Sequence, residues 1–320
     1  MAGLARADVQ KARRRLTAAQ HVAVVSHERP DGDAVGSLLA VTLALRAVGK
    51  RVDAILSDGL PSRFRFLPGA GTIRRDLTPG VDLLLTVDCS TFDRLGLPPD
   101  LRPAINIDHH PTNTRFAEVN LIEPQASATA EVLFDLAPRL GWTIDTDVAT
   151  CLLAGIVTDT IGFRTASTTP RVLQVAAGLM ERGAALTEIY EKALNQHNLA
   201  ALRYWSRGLG RLECRDGLVW CALTLDDRRS SEYRGHDDAD LINLLATIEG
   251  ARIALIFVEQ TGGRTKISWR SREGINVARV AEQFGGGGHD LAAGAMVGGE
   301  HDAILQAVLA ATRAALETAP

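Results

Sequence analysis

The sequence is poor in cysteine, and its four (Cys89, Cys151, Cys214 and Cys221) form no C-x-x-C pair or regular framework. A disulfide scaffold is thereby excluded, and reduced, buried thiols of a cytoplasmic protein are expected. No apolar run approaches the roughly 18 residues that a bilayer crossing needs; CLLAGIV at 151–157 is among the longest. A membrane-spanning role is excluded. Net charge is lacking too. Thirty-five Lys+Arg stand against 38 Asp+Glu, with 22 of each sign before Tyr204 and 13 basic against 16 acidic residues from there on. Neither half can serve as a basic clamp on a long polyanion, so a nucleic-acid substrate should be short. The Arg-rich opening segment lacks the roughly 7–15-residue apolar centre of a secretory signal. Its Leu4, Val9, Ala12, Leu16 and Ala19 recur at helical spacing and predict a surface helix.

What is present is an ordinary globular composition, 46% hydrophobic and 23% charged, in a chain of 320 residues that allows two domains. Over the first 185 residues, apolar runs alternate with helical patterns. HVAVVSH (21–27), RVDAILS (51–57), DLLLTVD (82–88) and AINIDHH (104–110) are short and rich in Val, Ile or Leu. Strands apolar on both faces belong in a parallel sheet covered by helices. Helices are expected at 33–49, 127–140, 145–160 and 170–183, the last opened by the capping pair Thr169-Pro170. The expected fold is α/β, a doubly wound, mostly parallel sheet over residues 1–185. A continuous helical linker (186–208) would join it to a smaller α+β domain (209–320). That second domain should hold a hairpin at Asp216-Gly217, a helix at 237–248, strands at 252–259 and 264–270, a helix at 276–283, a Gly-rich loop and a terminal helix at 302–317.

Most of the acidic and histidine residues of note stand where an apolar strand ends. His27 follows VAVVS, with Asp31 and Asp33 in the next loop; Asp88 ends LLLTV; Asp108-His109-His110 ends AINI. Ligands of open α/β sheets bind beyond the carboxyl ends of the strands, so these segments deliver their side chains to one edge. Asp159 joins them from the end of a helical run. Singly, each has a plainer reading: Asp-Gly-Asp as a turn, Asp88 as a helix cap, the paired histidines as surface residues, Asp159 as a polar helix end. Together they suit a site for two cations, with Asp31 and Asp33 on either side of Gly32 and Asp88 bridging. Such a pair stabilises both the attacking and the leaving oxygen of a phosphoryl displacement. Carboxylates and imidazoles without thiolate favour Mn²⁺, with Mg²⁺, Co²⁺ or Fe²⁺ as alternatives.

The segments His27-Glu-Arg-Pro-Asp31-Gly-Asp33-Ala-Val-Gly-Ser, Val-Asp88, Asp108-His109-His110 and Thr-Asp159-Thr resemble the four motifs of the DHH phosphoesterase superfamily. Residues 270–294, with Gly285 to Gly288 followed by His289, resemble its DHH-associated C-terminal domain. The resemblance implies one metal held by His27, Asp31 and Asp88, and a second by Asp33, Asp88, His109 and Asp159. His110 would act catalytically on the scissile phosphate, and Asp108 would orient a neighbouring imidazole from behind the ligands. Arg270, Arg272, Gly286, Gly287, Gly288 and His289 would clamp substrate. Arg164 is a further candidate for substrate contact, or equally a surface arginine.

Within the superfamily the chain is similar to the NrnA-like group rather than to the longer RecJ exonucleases or to the manganese-dependent pyrophosphatases. The pyrophosphatases carry a Lys/Arg-rich second domain, whereas Lys266 is the one lysine in that half here. The implied substrates are short RNA oligonucleotides, adenosine 3′,5′-bisphosphate (pAp), its dinucleotide relative pApA and cyclic-di-AMP. A homodimer is expected on the same ground. A nucleotide-binding regulator on a dead phosphoesterase fold is the rival from another class, and the complete set of metal-binding motifs argues against it.

Overall fold

The computed structural model describes residues 4–235, 237–272 and 274–318. The chain divides into two compact units, Met1–Gln196 and His197–Pro320.

In the first unit, α1 (Arg6–Ala18) buries Val9, Ala12 and Leu16, as its spacing predicts. Then come β1 (His21–Val25), α2 (Gly32–Ala47), β2 (Arg51–Ile55), β3 (Ile73–Arg74), β4 (Leu83–Val87), β5 (Ile105–Asp108) and β6 (Val119–Ile122). α3 (Thr129–Leu140), α4 (Thr146–Asp159), α5 (Pro170–Glu181) and α6 (Leu186–Tyr190) complete the unit. The strands form one parallel sheet in the order β3-β2-β1-β4-β5-β6. β1 and β4 are buried along their whole length, which is why their sequences are apolar without alternation. The strand order reverses between β1 and β4, and a sheet of this kind binds its ligand in the crevice beyond the carboxyl ends at that reversal. β3 and β6 are edge strands of two and four residues, too short to stand out as runs in the sequence.

Two helices meet closely above this point. A Cβ on Gly36 of α2 would lie 2.4 Å from the Cys151 carbonyl of α4, and a Cβ on Gly155 of α4 would lie 2.6 Å from Asp33 Oδ1 of α2. Glycine at both positions lets α4 bring its final residue, Asp159, toward the start of α2.

The helix expected to run through 186–208 is interrupted. α6 passes into a π-helical turn over Glu191–Asn195, and α7 (Leu199–Leu209) begins afresh with the Asn198 side chain accepting from Ala201 N–H at 2.7 Å. The cap terminates the pattern that apolar spacing alone would have continued.

The second unit adds β7 (Glu213–Arg215), β8 (Leu218–Leu223), α8 (Leu225–Ser230), α9 (Leu241–Leu245), β9 (Ile253–Gln260), β10 (Arg264–Ser271), α10 (Ala278–Glu282), β11 (Gly287–His289), β12 (Ala292–Gly298) and α11 (His301–Glu317). Its sheet runs β11-β12-β10-β9-β8-β7 and is antiparallel except between β8 and β9. Asp216 and Gly217, both at positive φ, make the expected hairpin turn. One face packs Trp269, Phe257 and Ile267 against α10 and α11, where the Trp269 indole donates to Thr312 Oγ1 at 3.1 Å. The other face packs Ile256 and Val258 against Tyr204 of α7 and Leu241 and Leu245 of α9.

Three expectations for this unit are corrected. The helix placed at 237–248 shrinks to α9, because Ala239 and Asp240 take positive φ and Asp238 accepts from Ile242 N–H at 2.9 Å. α8 was not foreseen and rests on a reciprocal cap between Thr224 and Asp227. The glycine run is not wholly loop: Gly287–His289 forms β11 against β12, a strand also missed. Cys89, Cys151 and Cys221 are buried, whereas Cys214 is exposed on β7. Among the described residues no helix is long and apolar enough to cross a membrane.

Candidate metal centre

Each chemical segment reaches the strand-order reversal by its own local route. His27 stands two residues beyond β1, whose end is tied to β4 by Ser26 Oγ donating to the Val87 carbonyl at 2.8 Å. Asp31 caps α2, its Oδ1 accepting from the N–H groups of Asp33 and Ala34 at 3.1 and 3.0 Å. Asp33, in the first turn, is almost fully buried. Asp88 directly follows β4 at φ 51°, a left-handed conformation that disfavours a side-chain-bearing residue. Such strain costs about 1–3 kcal/mol and persists where its surroundings enforce it; here the Asp88 N–H donates to the Ile107 carbonyl at 3.0 Å. His109 and His110 follow β5, and Asp159 is the last residue of α4.

The side chains converge in three overlapping groups: His27, Asp31 and Asp88; Asp33, His109 and Asp159; Asp88, His109 and His110. Asp88 Oδ2 lies 3.6 Å from His27 Nε2, and its Oδ1 lies 3.8 Å from His109 Nε2. His27 Nε2 is 4.0 Å from Asp31 Oδ2, and His109 Nε2 is 3.5 Å from Asp159 Oδ2. Divalent ions bind such atoms at about 2.0–2.2 Å, so ligands of one ion lie up to about 4.4 Å apart. The spacings here are long for hydrogen bonds and right for a shared cation. One carboxylate facing an imidazole on each side is the geometry of a bridging ligand.

The imidazole tautomers agree with this. His27 Nδ1 lies 2.8 Å from the Glu28 carbonyl and His109 Nδ1 lies 3.2 Å from the Ala126 carbonyl. A carbonyl can only accept, so His109 Nδ1 carries a proton and Nε2 is the nitrogen turned toward the carboxylates, where a cation would displace its proton. His27 Nδ1 also lies 3.1 Å from the Arg94 guanidinium, and its Nε2 likewise faces Asp88. His110 Nδ1 lies 2.7 Å from Asp108 Oδ1, and Asp108 is itself held by Asn113 Nδ2 at 2.6 Å.

Charge in the cluster is unbalanced. Burial lifts the Asp33 carboxyl well above the usual carboxylate range, and the charges of Asp88 and Asp159 add to the effect. Burial pushes Asp159 up to about 7, against the opposing pull of His109. Burial opposes ionisation of Asp88 as well, yet the facing His27, with His109 and His110, holds it below the usual range. Burial likewise works against protonated His109, but Asp159, Asp88 and Asp33 prevail and push it up to about 9. The acidic groups outnumber the imidazoles and retain protons that divalent cations would displace, so the donor set fits cations. Cys89, one residue beyond Asp88, is no thiolate ligand: burial pushes its thiol up to about 12.

Thr129 was not anticipated. Its hydroxyl donates to Asp88 Oδ1 at 3.0 Å and its N–H to Asp33 Oδ2 at 2.6 Å, while Ala130 N–H donates to Asp33 Oδ1 at 3.1 Å. The only hint in the sequence is Ser127 and Glu131 bracketing a helix start. Arg164 is exposed on the turn after α4, where its N–H donates to the Thr160 carbonyl at 2.8 Å.

The remaining candidates lie in the second unit. Arg270 and His289 both pair with Ala292, so the three share one row and one face of the sheet. The next row, Ser268–Gly294–Gly287, is nearly bare of side chains. A Cβ on Gly286 would come within 2.2 Å of the Gly294 carbonyl, and one on Gly288 within 2.4 Å of the Ala292 carbonyl. A Cβ on Gly287 would meet nothing within 4 Å, and its φ is not positive. Two of these glycines are therefore needed to seat β11, and the third is not. Burial lowers the Arg270 guanidinium against the charges of Asp238 and Asp240. Arg272 is exposed, its N–H donating to the Arg252 carbonyl at 3.0 Å.

Residues 21–156 match the DHH family, N-terminal domain, and residues 231–317 match the DHHA1 domain. A protein of Thermus thermophilus, described as a bifunctional oligoribonuclease and PAP phosphatase NrnA, is 35% identical over 92% of this chain and 90% of its own. The Bacillus subtilis protein of the same description is 26% identical over 85% of this chain and 87% of its own. In three dimensions, an exopolyphosphatase-related protein from Bacteroides fragilis superposes with a TM-score of 0.88 at 25% identity, covering 99% of this chain and 97% of that one.

Proposed function

Because this chain belongs to the DHH family, with DHH and DHHA1 domains and homology to NrnA-type bifunctional oligoribonucleases and PAP phosphatases, we propose that it hydrolyses short oligoribonucleotides to 5′ mononucleotides and pAp to AMP. Cyclic-di-AMP and pApA share the reacting group and extend the same reading. The coarser reaction class, metal-dependent phosphoester hydrolysis, is that of the superfamily, and this chain carries the clustered ligands for it. The observation that carries the proposal is Asp88, with His27 facing one carboxylate oxygen and His109 the other.

When bound, two divalent cations, Mn²⁺ by the donor set, supply Lewis-acid activation of water and neutralise charge at the phosphoryl group. His27, Asp31 and Asp88 would hold one; Asp33, Asp88, His109 and Asp159 the other. The chain's own groups do the rest. Against burial, the hydrogen bond from His110 Nδ1 to Asp108 and the charge of Asp88 favour the imidazolium, whose second proton, on Nε2, would be the one that meets the phosphate or the departing O3′ as hydrogen-bond or proton donor. In the second unit, the bare row beside Gly287 offers backbone and open surface to a flat nucleotide. Arg270 and His289 border it with groups suited to phosphate. Near-neutral charge in both halves fits a short substrate.

A side-by-side product assay with Mn²⁺ on pAp, pApA, a 5-mer RNA, a 24-mer RNA, cyclic-di-AMP and pyrophosphate tests this. AMP from pAp and mononucleotides from the dimer and 5-mer are expected, with the 24-mer turned over more slowly. Turnover of pyrophosphate alone would replace the reading with a pyrophosphatase. Nucleotide binding without turnover would replace it with a regulator.

A further inference from the structure

One residue touches two of the three carboxylates on the second cation's side. Thr129, fully buried at the start of α3, donates its hydroxyl to Asp88 Oδ1 and its N–H to Asp33 Oδ2. Asp88 Oδ1 is the oxygen that faces His109, and Asp33 groups with His109 and Asp159, whereas Asp88 Oδ2 faces His27. Asp33 Oδ1 is already taken up by Ala130 N–H and Ser37 Oγ, each at 3.1 Å. Three hydrogen bonds, the shortest of them from the Thr129 N–H, thereby fix the orientation of the Asp33 carboxylate.

The turn that carries Thr129 is itself fixed. Ser127 donates both its N–H and its hydroxyl to Glu131 Oε2, at 2.7 and 2.8 Å, and all three residues are buried. Behind Asp33 stands Gly155, whose missing side chain leaves no gap for the carboxylate to swing into. Resting on the two-cation reading above, we infer that Thr129 is a positioning residue that sets the spacing of the two cation positions. It presets the Asp88 and Asp33 oxygens of the second position and leaves the first position untouched. Groups behind metal ligands typically account for about 10–100-fold in metal affinity. The asymmetry of these contacts assigns that effect to one ion of the pair.

Full-length Thr129→Val and Thr129→Ser variants test it by Mn²⁺ titration calorimetry and by electron paramagnetic resonance, without substrate. Valine keeps the shape and the N–H but removes the hydroxyl; serine restores the hydroxyl. Wild type should bind two ions and show a spin-coupled pair. Thr129→Val should bind the first ion as wild type does and the second about 10–100-fold more weakly, with isolated-ion signals at intermediate loading. Thr129→Ser should recover the pair. A folded Thr129→Val protein with unchanged two-ion affinity and coupling would overturn the inference, as would equal weakening of both ions. Failure of wild type to hydrolyse pAp, with these binding results intact, would sink only the proposed substrates. A wild type that takes up no Mn²⁺ would end both readings.

Discussion

Replacing Gly155 by alanine should weaken one cation position selectively. The new Cβ would stand 2.6 Å from Asp33 Oδ1 and 2.9 Å from Ala130 Cβ. Real Cβ contacts do not fall below 3.0 Å, so the gap between α4 and the Asp33 carboxylate must open by at least 0.4 Å, the difference from 2.6 Å. Neither neighbour yields readily, because Asp33 is tied to Thr129, Ala130 and Ser37, and Ala130 lies in the first turn of α3. Overpacking of this kind costs about 1–3 kcal/mol. If it falls on the metal-bound geometry, a tenfold loss per 1.4 kcal/mol gives about 5–150-fold weaker binding at the second position. The first position, built from His27, Asp31 and the other Asp88 oxygen, should keep its affinity. Global stability should also drop, by about 2–4 °C in Tm for each kcal/mol in a unit of this size. Mn²⁺ titration calorimetry beside thermal unfolding reads both quantities. Gly71→Ala, with nothing within 4 Å of the new Cβ, is the control. Equal affinities for both ions in Gly155→Ala, with the Tm lowered, would refute the claim that α2–α4 packing sets the second position.

Three further outcomes follow from the site and the second sheet. Asp88→Ala removes the shared ligand, and turnover of pAp with Mn²⁺ should fall by more than the roughly 100-fold typical of losing a group behind the ligands; retention of a tenth of the wild-type rate would contradict the bridging role. Chelator-treated protein should lose stability as pH rises. Asp159 (about 7) and His109 (about 9) both lie above their unfolded values, so the folded state binds more protons. The His109 contribution is complete below about pH 6.5 and gone above about 9, and that of Asp159 fades between about 4 and 7. Calorimetry of the chelated protein from pH 5 to 9 should show a falling Tm, and saturating Mn²⁺ should remove the fall; a flat chelated profile would contradict the charge imbalance. Gly287→Val should raise KM for pAp by about tenfold, a loss of about 1.4 kcal/mol, with Tm unchanged, whereas Gly288→Val should lower Tm sharply. The reverse pattern in the two variants would remove the glycine row from substrate binding.

Most of the ligands were legible in the sequence because His27, Asp88 and His109 follow apolar strands and Asp31 and Asp33 lie in the segment after the first of them, while Asp159 ends a helix. A parallel sheet turns that placement into convergence: the segments after β1, β4 and β5 all face the strand-order reversal. The order itself, and the edge strands β3 and β6, were not legible, since two to four residues carry too little pattern. Thr129 was hidden for a different reason. Its contacts reach Asp88 and Asp33 across 41 and 96 residues of sequence, and a threonine in a small-residue stretch announces nothing. In the second unit the glycines read as a loop because Gly286 and Gly288 serve close backbone approach within a sheet, which composition cannot distinguish from flexibility. The break at Gln196–Asn198 was likewise masked, because apolar spacing continues on both sides of the Asn198 cap.

Anomalous scattering at the manganese edge from Mn²⁺-soaked crystals is the most direct check on the centre. Two peaks about 3.5–4 Å apart are predicted, each in contact with a different oxygen of Asp88. A single peak, or a pair of which Asp88 touches only one, would contradict the account.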